Sequence, residues 1–347
     1  MAGMNATQRR MCLLTDGFLD VFTAKTAVGL LRYCPTEIVA VLDKPNAGKK
    51  LEEIVATGAG VPIVDSIAAA TRLHANQLVL GAAFPGGQVP APWRQHIREA
   101  LAAGMDIVNG LHQRLNEDAE LAAAAKAAGK RIWDVRNPPA LTKVGTCKAR
   151  TTKGKRILTI GTDCNLGKRV MALELTREMK QRGLNAEFVP TGQTGVMTVG
   201  RGVALDAVVS DFVSGAIEEQ VLAVGDADYI LVEGQGALVH PGFSAVTLGL
   251  MHGSLPDEMI LCHAPARKTM RSSSTPVISM GEMITLSEAI LRPLHHSKVV
   301  GVALNCHGMN DDEAAKARDE AHAVTGLPVV DAFKTGVGPL VDVISRR

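Results

Sequence analysis

Short β-branched and leucine-rich runs recur along the chain, and each is followed by a longer stretch whose apolar residues fall at helical spacing. This alternation predicts strand–helix–strand units and parallel sheets clad by helices. In the first half, strands are predicted at residues 11–14, 37–42, 61–64, 77–81, 106–108 and 131–135. Helices are predicted at 24–32, 92–103 and 118–128, the last alanine-rich with a polar start at Asn116 to Asp118. This half reads as a Rossmann-like parallel sheet, but no G-x-G-x-x-G turn follows its first strand, so a dinucleotide fingerprint is absent. The pattern lapses between 137 and 155, where Pro138 and Pro139 precede a basic, polar run containing Lys143, Lys148, Arg150, Lys153 and Lys155. We expect a solvated linker there and a boundary that separates a domain at 1–145 from one at 146–347.

The second half opens with an apolar strand at 156–160, then Gly161-Thr162-Asp163-Cys164-Asn165-Leu166-Gly167-Lys168, then a helix at 169–182. Strand, glycine turn and helix in this order form a P-loop. Backbone N–H groups of the turn, the helix N-terminus and the lysine converge on phosphate oxygens. The expected phosphate-site residues are Gly161, Thr162, Asp163, Cys164, Asn165, Gly167, Lys168 and Arg169. A P-loop lysine is normally followed by Ser or Thr, whose hydroxyl binds Mg²⁺, and Arg169 stands there instead. An arginine keeps the capacity for phosphate, with bidentate geometry, and weakens the case for nucleotide hydrolysis.

Downstream, the apolar run Tyr229 to Val232 ends in Glu233-Gly234-Gln235-Gly236. Two more segments end strands on the same expected face: Phe188 to Gly195, which contains Thr191 and Gln193, and the stretch ending at Asn305. Ligands of open α/β sheets bind outside the carboxyl ends of the strands, so the four segments are expected to line one crevice. Glu233, His240 and Asp163 are the candidates for acid–base chemistry, His240 because it follows closely in the glycine-rich His240-Pro241-Gly242.

Composition narrows the ligand. The 347 residues exceed what one core usually serves. With 46% hydrophobic and 21% charged residues, no disorder is expected, and no apolar run reaches the ~18–20 uncharged residues of a membrane span. Residues 1–10 lack the apolar stretch of a secretory signal, so a cytoplasmic enzyme is expected. A net charge of +2 and 3% aromatics argue against nucleic acid and leave small molecules, with homo-oligomeric assembly expected. The six cysteines show no C-x-x-C spacing and read as reduced thiols, with Cys164 set apart by its place in the loop.

Gly161-Thr162-Asp163 with Gly167-Lys168 and Val232-Glu233-Gly234 resembles the dethiobiotin synthetase branch of P-loop proteins. Over nearly the whole chain the sequence is similar to a narrower family, the D-glutamate N-acetyltransferases. The residues that carry this are Ala24 to Ala27, Asp43 with Ala47-Gly48-Lys49, Gly110-Leu111-His112, Asp134-Val135-Arg136 with Pro138-Pro139, and Glu233 to His240 continuing through Thr247 to Gly253. The resemblance implies a Rossmann-like domain followed by a P-loop NTPase-like domain. It also implies transfer of acetyl from acetyl-CoA to the amine of D-glutamate.

A P-loop without its metal hydroxyl suits coenzyme A, with acetyl-CoA as co-substrate and no metal required. By the resemblance to the dethiobiotin synthetase branch, Asn305, ending its strand, is a candidate to read the adenine edge. Thr191, Gln193 and Gln235, with the cations Lys25, Lys49 and Arg136, are candidates to bind the acceptor across a domain cleft. Two other readings stand beside this one: an ATP- and Mg-dependent ligase or kinase acting on a small carboxylic acid, and a nucleotide-binding regulator.

Overall fold

The computed structural model describes residues 8–138 and 140–346; Pro139 of the family motif and the first seven residues lie outside the described residues. The described chain forms two compact units, one of residues up to 138 with Gln193–Ala204 and one of Ala140–Gly192 with residues 205–346. Each is an α/β unit built on a six-stranded, wholly parallel sheet.

In the first unit the strands are β1 Met11–Leu14, β2 Ile38–Leu42, β3 Ile63–Val64, β4 Gln77–Leu80, β5 Asp106–Asn109 and β6 Ile132–Asp134, ordered β3-β2-β1-β4-β5-β6. That is the doubly wound order, in which the winding reverses between β1 and β4. Helices cover both faces of such a sheet, so its strands are apolar throughout rather than alternating: all four residues of β1 and of β4 are buried. Two clusters fill the faces, one around Leu14, Leu42, Leu80 and Trp93, the other around Leu13, Leu30, Val41 and Val79. Local signals set the helix ends as the sequence suggests. Asp118 caps the alanine-rich helix Ala119–Ala128 by accepting the Leu121 N–H at 3.2 Å, and Gly129 ends it at φ 62°.

The helix Gln193–Val199 belongs to this first unit although its sequence neighbours on both sides belong to the second. Thr194 Oγ1 lies 3.2 Å from Thr26 Oγ1, and the Arg9 guanidinium donates to the carbonyls of Met197 and Thr198 at 2.6 and 3.0 Å. The sequence carries no composition change there, so the reading at 146–347 did not separate this segment.

The second unit contains β7 Lys155–Gly161, β8 Ala186–Val189, β9 Tyr229–Val232, β10 Glu258–His263, β11 Lys298–Leu304 and β12 Val329–Asp331, ordered β12-β11-β10-β7-β9-β8. The order puts β7 in the middle, between β9 and β10, with all carboxyl ends at one edge. Arg156, buried near the start of β7, is satisfied throughout: it donates to the carbonyls of Leu255 and Ala149, to Thr152 Oγ1 and to Asp257 Oδ1, at 2.8 to 2.9 Å. The basic stretch expected as a solvated linker is partly tied down. The buried Glu218 carboxylate accepts the backbone N–H groups of Thr146 and Lys148 and the Thr146 hydroxyl, the last at 2.8 Å.

Candidate functional site

The carboxyl end of β7 runs into the turn of residues 162–167, and the helix Lys168–Gln181 follows. Gly167 sits at φ 102°, where side chains are strained, and Gly161 leaves room for the lysine: a Cβ there would meet Lys168 Nζ at 3.0 Å. Lys168 is buried, its Nζ donates to the Asp163 carbonyl at 2.8 Å, and burial pulls its pKa below that of an ordinary lysine. Arg169 is the second residue of the same helix, and its Nε is buried with no hydrogen-bond partner among the described residues. Asn165 is exposed at φ 53°, at the tip of the turn.

Asp163 is fully buried, and its carboxylate is already committed. Oδ2 accepts from Arg267 Nη1 at 2.9 Å and from the Arg271 backbone N–H at 2.8 Å, and Oδ1 accepts the Cys164 N–H at 2.6 Å. His240 lies beside it, Nε2 3.8 Å from Asp163 Oδ1. The ring is also in use: Nε2 is 2.9 Å from the Arg271 carbonyl, which can only accept, and Nδ1 accepts the Gly242 N–H at 3.1 Å. Both ring nitrogens are thereby engaged, and the ring packs on Phe243 at 4.7 Å.

Asp163, Cys164 and His240 bring possible ligand atoms within 4.8 Å of one another. The arginine on Asp163 and the two hydrogen bonds on His240 compete with a metal for those atoms, and burial pushes the Cys164 thiol up, away from the thiolate.

Glu233 directly follows β9, the strand next to β7 in the sheet. Its buried carboxylate accepts the backbone N–H groups of Thr191 and Gly192 on Oε2, at 2.9 and 3.1 Å, and Gln235 Nε2 stands 3.4 Å from Oε1. Burial raises its pKa above the ordinary carboxylate value; the Arg169 charge and the two N–H groups oppose the rise without cancelling it. Gly234 is forced by the neighbouring strand: a Cβ would collide with the Thr159 carbonyl and meet Lys168 Cδ at 2.9 Å. Its N–H donates to Thr159 Oγ1 at 2.9 Å.

The remaining expected residues are distributed as follows. Thr162 Oγ1 lies 2.9 Å from His263 Nδ1, and burial, with Lys268 and Arg267 nearby, lowers the His263 pKa. Asn305 follows β11; its N–H donates to the His263 carbonyl at 2.8 Å and its Oδ1 accepts the His307 N–H at 3.1 Å. Thr191, Gln235, Glu233 and the phosphate loop are all in the second unit. Gln193, Lys25, Lys49 and Arg136 are in the first, where Lys49 Nζ donates to Asn46 Oδ1 at 2.9 Å and Arg136 donates to the Gly110 carbonyl.

Sequence reasoning missed the end of β10 and the residues that follow it. His263, Arg267 and Arg271 bond to Thr162, Asp163 and Cys164, and a bridge from Thr269 to Pro276 closes the segment into a hairpin. The signal was present: an apolar strand ending at a histidine, then Arg267-Lys268 and Arg271, meets the same strand-end criterion that picked out Glu233.

The chain matches a family described as a domain of unknown function, DUF1611_C, P-loop domain, over residues 143–341, and its companion DUF1611_N, Rossmann-like domain, over residues 44–138. It is 36% identical over 328 residues to a D-glutamate N-acetyltransferase of Tritonibacter scottomollicae, covering 94% of this chain and 95% of that one. A D-glutamate N-acetyltransferase of a Pseudoalteromonas species is 37% identical over 279 residues, 80% of this chain and 83% of that one. The crystal structure of a DUF1611 family protein from Anabaena variabilis superimposes with a TM-score of 0.92 at 39% identity, covering 98% of this chain and all of that one. With its Rossmann-like and P-loop domains both matched, the chain belongs to the DUF1611 family, the family of these D-glutamate N-acetyltransferases.

Proposed function

We propose that this protein is an N-acetyltransferase that moves the acetyl group of acetyl-CoA to the amine of a small acidic amino acid, D-glutamate first. The observation that carries the reading is the buried, pKa-raised Glu233 carboxylate at the end of a strand beside Lys168 and Arg169. The names of the relatives supply the acceptor, D-glutamate, and the acetyl group transferred.

The acceptor's α-amino group has a reference pKa of about 8, so at neutral pH most of it is ammonium and cannot attack a thioester. A base is required. Oε2 of Glu233 takes both backbone N–H groups, and Oε1, which accepts only the Gln235 amide at 3.4 Å among the described residues, keeps a lone pair for a proton. In the reaction Glu233 takes one proton from the ammonium, the freed amine nitrogen bonds to the thioester carbonyl carbon, the C–S bond breaks, the second nitrogen proton passes to the leaving coenzyme A sulfur, and the proton on Glu233 is released to solvent. The oxyanion formed on the way needs donors. The Gly234 N–H is committed to Thr159 and the Gln235 side-chain amide to Glu233 Oε1, so the backbone N–H groups of Gln235 and Gly236 are the candidate donors of the turn.

Lys168 and Arg169, with the helix N-terminus, match the diphosphate of the coenzyme. Direct transfer is favoured over an acetyl-cysteine intermediate because burial outweighs the Lys168 charge and keeps Cys164 a thiol. A ligase driven by ATP has less support: Arg169 replaces the hydroxyl that holds Mg²⁺, and the Asp163 carboxylate is paired with Arg267.

Calorimetric titration with acetyl-CoA, coenzyme A and Mg·ATP tests the reading. Acetyl-CoA is expected to bind equally well in EDTA; binding of Mg·ATP alone would replace this reading by the ligase.

A further inference from the structure

Resting on the acetyl-CoA reading, we infer that the hairpin after β10 is a second anion subsite, in which Lys268 and Arg271 hold the 3′-phosphate of the coenzyme.

The hairpin is fixed at the phosphate loop by its backbone and by Arg267. Arg267 Nη1 bonds to Asp163 Oδ2 and to the Cys164 carbonyl, the Arg271 N–H donates to Asp163 Oδ2 at 2.8 Å, and the Arg271 carbonyl accepts from His240 at 2.9 Å. A buried aspartate and a buried histidine are thereby spent on holding one turn of chain in place. The three cations of the turn are then used differently. Arg267 is neutralised by Asp163, whereas Lys268 and Arg271 are exposed and in no ion pair among the described residues. Their charges are felt at the loop: that of Arg271 pulls the Cys164 thiol down against burial, and that of Lys268 lowers His263.

The ligand's charges divide in the same way. A diphosphate takes the P-loop lysine, its neighbouring arginine and the helix N-terminus. A 3′-phosphomonoester on the ribose carries up to two further charges at a separate point, and a nucleoside diphosphate or triphosphate has no group there. Two cations held beside the loop without an ion-pair partner among the described residues complement that group, and they give the site a means of preferring coenzyme A over ATP.

Affinities of acetyl-CoA and of acetyl-3′-dephospho-CoA, measured calorimetrically on wild type and on Lys268→Ala/Arg271→Ala, test the assignment. The wild type is expected to favour acetyl-CoA at least about tenfold, and the double variant to bring that ratio close to one by losing acetyl-CoA affinity. Each ratio is taken on a single preparation, so partial unfolding cancels. No preference in the wild type, an unchanged ratio in the variant, or equal weakening of both coenzymes would overturn the subsite while leaving acetyl-CoA binding intact. Binding of neither coenzyme by the wild type would instead overturn the acetyltransferase reading, and the subsite with it.

Discussion

Thr191 and Glu233 are joined twice: the Thr191 N–H donates to Glu233 Oε2 at 2.9 Å, and the Thr191 hydroxyl donates to the Glu233 carbonyl at 2.6 Å. The first bond favours the carboxylate and the second fixes the backbone that presents it, in a setting where burial favours the protonated form. Glu233 is therefore oriented, and burial makes its carboxylate more basic than an ordinary one, as a general base needs.

Replacing Glu233 by Gln keeps the shape and one acceptor oxygen but removes the base. Steady-state kinetics are expected to show kcat lowered by at least ~100-fold with coenzyme affinity retained. In wild type, kcat should rise with pH through the raised Glu233 pKa and then level off.

The same substitution carries an opposite sign for stability. A carboxyl whose folded pKa is raised stabilises fully below its unfolded value and loses that contribution as pH rises through the folded value. Above that window the wild type bears the cost of a buried charge, so thermal melts should show Glu233→Gln with the higher Tm at alkaline pH. The difference should shrink on acidification.

Lys168→Ala removes a buried cation from the turn. Acetyl-CoA affinity is expected to fall by about 10- to 100-fold in titration calorimetry, with little change in EDTA.

Arg267→Ala leaves the Asp163 carboxylate buried with only the Arg271 and Cys164 N–H donors. Chemical denaturation should show a loss of about 3 kcal/mol, because one partner of a buried pair is gone. Cys164→Ala, by contrast, should retain most activity in the transfer assay. A covalent acetyl-enzyme would make it inactive.

The strands and the phosphate turn were legible because each depends on residues close in sequence: an apolar run, a glycine, a lysine at a helix start. β1 lies at the residues its apolar run marks, and Glu233 was visible as a carboxylate ending the strand β9. What Asp163 and His240 do was not legible. Both read as acid–base candidates on position, but Asp163 is claimed by Arg267 and Arg271, over 100 residues away, and His240 by Arg271 and Gly242. Pairings at that separation leave no local periodicity. The same holds for the helix Gln193–Val199, whose anchors Arg9 and Thr26 lie far earlier in the chain. Asn305 was read as a base-recognition residue, and its Oδ1 bond to the His307 N–H is the local bond of a loop.

The most direct test of the account follows product by mass spectrometry with purified protein, acetyl-CoA and D-glutamate in the presence of EDTA. The account predicts N-acetyl-D-glutamate formed in step with free coenzyme A thiol, and much slower turnover of D-alanine. No acetylated product, or product only when Mg·ATP is supplied and ADP is released, would contradict it.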